Sequence, residues 1–494
     1  MKLKIIIYIL TSILSSSVFF GQSDLVEIQK LIVSDISELH LFGFEVGVSG
    51  DYAVLGSVGY DNLQGAAYVY KRNGETWEEI KQLTASDGAA ENQFGLAVAI
   101  DGDYIVVGSY DNMTNYYGGA YVFHKDEGGA DNWGEVTKLT SPEGGYDEFF
   151  SETVAIYGDF IAVAAKNQNQ STGAIYMYHN NAGVWDYHSK LVASDGDSYD
   201  NFGFSVEIYG NYLITGAWLD EELAFDAGSA YIYKYENDVW LEHKKLLAFD
   251  GAESDYYGWD VSIYEDLIAV SATWDDDGGD YTGSVYLYQK DQGGADNWGF
   301  IKKLTAFDTN NDGDQFGFSV SINDTYALCT THADDDHGNN SGAAYLFGRN
   351  TGGDDNWGSI SKLIASDAGE EKYFGHACDL DGNYAFIAPR HHDADWVNLT
   401  DQAATYVFAP ENLSIEESKL INAVVFPNPA NDVVTVKGVD LNEVKIFDIQ
   451  GKILFEQDSI NEQIEIDILN FESGTYLVKV VSNNGSLVEK LIIY

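Results

Sequence analysis

The chain is poor in positive charge, cysteine and proline. Against 79 acidic side chains it sets only 26 basic ones, a formal net charge of −53 over 494 residues. Nucleic-acid binders need lysine and arginine patches to displace counterions, so that class is excluded. An anionic membrane surface would repel the chain for the same reason. Two cysteines, Cys329 and Cys378, cannot staple a chain of this length. Both lie in apolar, strand-like runs, so buried free thiols are expected, with a single disulfide as the alternative. After the first twenty or so residues no apolar run is long enough to span a bilayer. Five prolines against 50 glycines point to many tight turns and a β-rich fold. Hydrophobic residues make up 45% of the chain and aromatics 14%, enough to bury a large core and to exclude disorder.

Residues 1–22 read as a secretory signal peptide. Lys2 and Lys4 form a positive start, Ile5 to Leu14 an apolar stretch, and small and polar residues follow to Gly21-Gln22. The apolar stretch is short for a membrane anchor, so a mature chain without a transmembrane segment is expected. Neither cysteine follows the signal closely, which argues against a lipid anchor.

Internal repetition dominates the rest. Trp77, Trp133, Trp185, Trp240, Trp298 and Trp357 are each followed six residues later by a leucine, Leu83 to Leu363. An acid comes four residues further on: Asp87, Glu143, Asp195, Asp250, Asp308 and Asp367. Next is an aromatic, usually with glycine behind it, as in Phe94-Gly95, Phe202-Gly203 and Phe316-Gly317. A run such as YIVVGS and a segment such as GGAYVF, with Tyr121, Tyr176, Tyr231, Tyr286, Tyr345 and Tyr406 in register, close the unit. The unit recurs every 52 to 59 residues. Each holds four short strands: a (FGLAVAI), b (YIVVGS), c (GGAYVF) and d (W-x-x-x-x-K-L). Four antiparallel strands in 40 to 60 residues are the signature of a β-propeller blade. Gly-Asp at 50–51, 102–103 and 158–159 suits the a–b hairpin turn.

Seven units are counted, and the seventh stops after strand c at residues 404–408. Its missing strand d is found at the start of the mature chain, where Val26 to Lys30 lead into Leu31, Asp35 and Phe42 at the usual spacing, with Leu25 where a tryptophan would stand. The expected fold is all-β: a seven-bladed propeller over residues 23–408, its last blade closed by the N-terminal strand, which removes the exposed sheet edges. The FG…G-D…VGS/TGA…GAAYVY pattern resembles FG-GAP repeats, which the ligand-binding head of integrin α-subunits also contains. The resemblance covers roughly residues 24–408. Unit three departs from it with Phe150-Ser151, and only Ala388-Pro389 approaches a literal GAP.

A linker over residues 409–422 leads to a small β-sandwich over 423–494. The order of PNPANDVVTV, IFDIQGK, GTYLVKV and a terminal KLIIY resembles a type A sorting domain of the type IX secretion system. That resemblance implies export through the periplasm, with the secretion machinery as a partner, to the cell surface or beyond.

Strand alternation puts the d–a and b–c loops on one face. Both are acidic, as in FDTNNDGDQ (307–315) and WDDDGGDYTG (274–283). Asp308-x-Asn310-x-Asp312-Gly313, with Asp314 as a further donor, resembles the opening of an EF-hand calcium loop, without the twelfth-position glutamate. Asp308, Asn310, Asp312 and Asp314 are therefore the candidate calcium ligands, although Asp, Asn and Gly also form ordinary turns. His391-His392-Asp393-x-Asp395 and the pair His332 and His337 are further metal candidates, against solvated loop histidines. Trp218, Trp274, Trp396 and Tyr116-Tyr117 could stack on sugar rings or cover sandwich edges. There is no H-E-x-x-H, G-x-S-x-G or P-loop, and no carboxylate pair singles itself out. The expectation is a non-enzymatic, exported binding or adhesion protein holding an extracellular protein or glycan on its acidic face. The alternatives are a polysaccharide-acting hydrolase or lyase and a structural surface protein.

Overall fold

The computed structural model describes residues 24–33, 42–110, 118–144, 149–308, 313–390, 404–410 and, with short gaps at loops, 423–493. The signal peptide and residues 411–422 lie outside these. The chain divides into two units, residues 1–411 and 412–494.

The first unit is seven four-stranded antiparallel sheets. In blade one the strands a to d are Phe42–Ser49, Tyr52–Ser57, Ala66–Asn73 and Thr76–Leu83. Strands b and c are buried on both faces because neighbouring blades cover them, so Tyr104–Tyr110 and Gly118–His124 read as unbroken apolar runs. Strand d alternates buried and exposed positions, as expected for an outer edge. Blade seven is completed by Leu25–Leu31, which pairs antiparallel with Thr405–Pro410 in the order d-c-b-a. The N-terminal strand thus takes the place of strand d in the last sheet. Both cysteines are buried free thiols.

Two repeated contacts join blade to blade. The first is apolar. Trp133, Trp185, Trp240 and Trp298 of strand d set an edge against the aromatic opening strand b of the preceding blade, at ring distances of 5.2 to 5.4 Å from Tyr52, Tyr104, Phe160 and Tyr212. Trp77 makes the same contact with Tyr384 and Phe386, joining blades one and seven.

The second is ionic. The acid after strand d of one blade is held by the lysine and the strand-c tyrosine of the next blade, in six cases among the described residues. Asp87 accepts from Tyr121 at 2.6 Å and Lys138 at 2.8 Å. Asp195 accepts from Tyr231 at 2.9 Å and Lys245 at 2.8 Å. Asp250 does so from Tyr286 and Lys303, and Asp308 from Tyr345 and Lys362. Glu143 accepts from Lys190 and Gln168 of blade three. Asp367 takes Tyr406 and Lys30, so the N-terminal strand carries the same clamp as the strands d of blades two to six.

The departure at Phe150-Ser151 has a local explanation. The residue after the FG aromatic sits in the left-handed region, as Gly43 does at φ +80. Ser151 adopts φ +73 there, fully buried. Its hydroxyl donates towards the carbonyls of Ser109 and Gly119 and accepts from the Ser109 N–H, which offsets the strain.

The second unit is a sandwich of a three-stranded and a four-stranded sheet. Val434, Val436 and Ile466 of one share a core with Val444, Ile446, Val478 and Leu491 of the other.

Candidate functional site

The seven strands a surround a channel with a cavity of about 460 Å³. Pairing with strand b breaks between the FG aromatic and the residue four positions on, as between Phe42 and Val46. The residues in that break, Phe44 and Glu45 in blade one, line the channel instead.

As inner edge strands, strands a leave N–H groups that no strand pairs. Side chains of the adjacent blade satisfy them. Asp379 accepts from Val48 N at 2.7 Å, Glu207 from Ile263 N at 2.6 Å and Asp260 from Val320 N at 2.8 Å. Ser262, Ser319 and Ser321 serve Ile322, Cys378 and Leu380 in the same way. Glu45, Glu207, Asp260 and Asp379 are nevertheless desolvated. Burial, followed by Asp260, pushes Glu45 up to about 8. Burial, followed by Asp379, does the same to Glu207, and burial lifts Asp260 and Asp379 to about 7.

The mouth on the d–a and b–c side has a different character. Two residues past the FG aromatic stand Phe44, Phe204, Trp259, Phe318 and His376 in five blades, with Leu96 in blade two and Glu152 in blade three. Just after strand b come Lys166, Trp218, His332 and Arg390 in blades three, four, six and seven. Their rings form an unbroken arc. Lys166 lies 4.8 Å from the Phe204 centroid and pairs with Glu152 at 2.9 Å. Phe204 is 5.0 Å from Trp259, Trp259 is 5.6 Å from Phe318, and Phe318 is 5.4 Å from His376. A branch runs outward from Trp259 through Trp218, Tyr256 and Trp274 to Tyr281, each step 4.7 to 5.3 Å. Tyr281 is 49% exposed, so the branch ends in solvent.

His332 packs at 3.8 Å on Phe318 and stacks on Tyr373 at 5.8 Å. Burial and then the Arg390 charge lower His332 to about 4 and His376 to about 3, so both imidazoles are neutral at ordinary pH. Neither Nδ1 has a hydrogen-bond partner among the described residues.

Of the expected calcium ligands, Asn310 and Asp312 lie outside the described residues, as do His391, His392, Asp393, Asp395, Trp396, Tyr116 and Tyr117. Asp308 belongs to the Lys362 clamp. Asp314 is buried, and burial together with Asp334 raises it to about 7. His337 is exposed in its loop while His332 is among the mouth rings.

Carboxylates do gather here. Asp308, Asp334 and Asp336 present oxygens within 4.8 Å of one another, as do Asp250, Asp275 and Asp277, and such sets could hold a metal ion. Each already surrounds an ammonium: Lys362 reaches its three acids at 2.5 to 2.6 Å and Lys303 its three at 2.7 to 2.8 Å. Blade four repeats the arrangement with Lys245 against Asp195, Asp220 and Glu222. Burial opposes the Lys362 charge, but hydrogen bonds to the three acids outweigh it and hold the ammonium above the lysine range.

The mouth escapes motif reading because it collects side chains from repeats more than fifty residues apart. Trp218 and Trp274 stand out in the sequence; Phe204, Trp259 and Phe318 do not. Their one signal is a fixed offset of two from the FG aromatic.

Comparison with known proteins bears on the chemistry. An endo-acting ulvan lyase of Formosa agariphila is 28% identical over 120 residues, 23% of this chain and 22% of that protein. An ulvan lyase of Nonlabens ulvanivorans is 29% identical over 97 residues, 19% and 18% of the two chains. Beta-agarase D of Zobellia galactanivorans is 26% identical over 69 residues, 14% of each. The chain thus spans about a fifth or less of the relatives' length. These relatives are enzymes, which overturns the expectation of a non-enzymatic protein. That expectation rested on contiguous motifs, whereas a propeller assembles its groups from separate blades.

The secretion system C-terminal sorting domain matches residues 424–494 and indicates export by the type IX system to the cell surface or extracellular space. No helix among the described residues is long and apolar enough to cross a membrane. The FG-GAP repeat matches seven times, over residues 25–70, 77–123, 133–178, 185–233, 240–288, 298–347 and 357–408. Each match begins in strand d and ends in strand c, one strand out of phase with the sheets, so the first strand must complete the seventh blade. With most of its length in these repeats, the chain belongs to the FG-GAP repeat family.

Proposed function

We propose that this exported protein acts on an extracellular polysaccharide that lies across the aromatic mouth of the propeller channel. The observation that carries the reading is the arc of rings from Phe204 through Trp259 to Phe318, with its branch through Trp218 to Tyr281. Sugar rings present apolar C–H faces that stack on such surfaces, and a cluster of half-buried aromatics beside a cavity is otherwise unfavourable to leave wet. The short similarities to ulvan lyases and an agarase support the same class of substrate.

Incubation of the secreted protein with ulvan and with agarose, read by unsaturated products and by new reducing ends, tests the reading. Replacing Trp218 and Trp259 together by alanine should lower turnover or binding by about tenfold to a hundredfold, since each ring stacked on a sugar contributes about 0.5–1.5 kcal/mol. Unchanged action by a folded double variant would remove the mouth as the site. For the loop holding Asp308, Asn310, Asp312 and Asp314 we propose calcium as the ion, because the donors there are hard oxygens. A melting temperature unmoved by millimolar calcium would sink that part.

A further inference from the structure

Resting on the polysaccharide reading, we infer that the glycan is anionic, and that Arg390 binds its carboxylate or sulfate groups at one end of the aromatic arc with Lys166 at the other. In a chain so rich in acids, the described residues offer Arg390 no carboxylate partner, although it is exposed and lines the channel mouth. By contrast, Lys234 is held by two acids, and Lys245, Lys303 and Lys362 by three each. The Arg390 charge acts instead on the neutral imidazoles of His332 and His376, and Arg390 shares the cavity lining with Phe44, Phe318 and His376. An exposed guanidinium beside an open cavity, with no carboxylate partner among the described residues, is a preformed receptor for an oxyanion.

The two cations are also placed for a chain rather than for a single ion. They follow the same strand, b, in blades three and seven. Between them the mouth presents Phe204, Trp259 and Phe318 from blades four, five and six. A polymer crossing those rings brings its repeating anionic groups to a positive charge at each end of the stacked stretch. Lys166 is itself balanced by Glu152, so it steers the anion while Arg390, without a carboxylate partner among the described residues, supplies the binding charge. The channel below does not cancel that charge in full at neutral pH, because Glu45 and Glu207 titrate only near 8.

Affinity electrophoresis and calorimetry with the full-length secreted protein test this against ulvan, polygalacturonate, dextran sulfate, dextran and agarose. The expected result is binding to an anionic probe that weakens steeply between about 0.05 and 0.5 M salt, with polygalacturonate and dextran sulfate telling carboxylate from sulfate recognition. Arg390→Gln should weaken it by about tenfold, the loss of one charge-assisted hydrogen bond, with Arg390→Lys recovering only part. An unchanged melting temperature shows that each variant is folded. Binding confined to dextran or agarose, or anionic binding that Arg390→Gln leaves within about twofold, overturns the inference and leaves the polysaccharide reading intact. Binding to none of the five probes overturns both.

Discussion

The same lysine, one position before the strand-d leucine, has different importance in different blades. Lys138 meets a single acid, Asp87, whose side chain is 56% exposed. Lys303 meets three, of which Asp275 is 3% exposed. Water can replace the first pair but cannot reach the second. Lys138→Met should therefore cost at most about 1 kcal/mol. Lys303→Met strands a buried carboxylate and should cost about 3 kcal/mol. Melting curves of both variants check this, and equal losses would contradict it. Adding calcium should restore part of the loss in Lys303→Met but not in Lys138→Met, since only the former leaves three converging carboxylates without a counter-charge.

At the scale of the element, the a–b hairpins carry a testable irregularity. Five turns place a glycine at φ +54 to +61, namely Gly50, Gly102, Gly158, Gly210 and Gly382, with nothing near the position of a Cβ. Blade five puts Glu265 in that place at φ +52. A non-glycine residue there costs about 1–2 kcal/mol, part of which glycine returns as unfolded-chain entropy. Glu265→Gly should thus stabilise by about 0.5–1 kcal/mol, seen as a higher melting temperature; a lower one would show that Glu265 has a compensating contact. These hairpins, the strand count and the swapped N-terminal strand can all be read from the sequence, because period-two patterning and turn glycines are local signals that seven copies reinforce. The clamps are half visible. The acid after the leucine and the K-L pair are both apparent, but nothing in one repeat says that the acid of one blade meets the lysine of the next. The mouth is least visible, since Phe204, Trp259 and Phe318 look like ordinary strand residues until the ring brings them together.

For the whole molecule the excess of negative charge divides into two populations with opposite pH behaviour. Five of the clamp acids, Asp87, Glu143, Asp195, Asp250 and Asp367, lie below their usual range, Asp87 through its hydrogen bond from Lys138 and Asp195 through Lys245 and Tyr231 against the effect of burial. Their contribution is present above about pH 4 and is lost as they protonate in acid. The channel acids behave in reverse. Glu45 and Glu207, at about 8 when folded, and Asp260 and Asp379, at about 7, bind protons more tightly in the folded chain than in the unfolded one, where the ordinary values are 4.5 and 3.8. Below about pH 4 both states are protonated and these groups contribute nothing. Between about pH 4 and 8 the folded state holds the extra protons, so stability falls as pH rises, and above about 8 the full penalty applies. Stability should accordingly peak near about pH 5, between the two losses, rather than at neutrality. Glu45→Gln with Glu207→Gln removes two of the four channel charges while retaining an oxygen to accept the Ile263 N–H. This pair should raise the melting temperature at about pH 9 by roughly 1–3 °C and change it little at about pH 5. An equal shift at both pH values would mean that packing, not charge, governs the channel. A fall on the alkaline side would mean that the channel carboxylates are stabilised as anions, by a cation held between them.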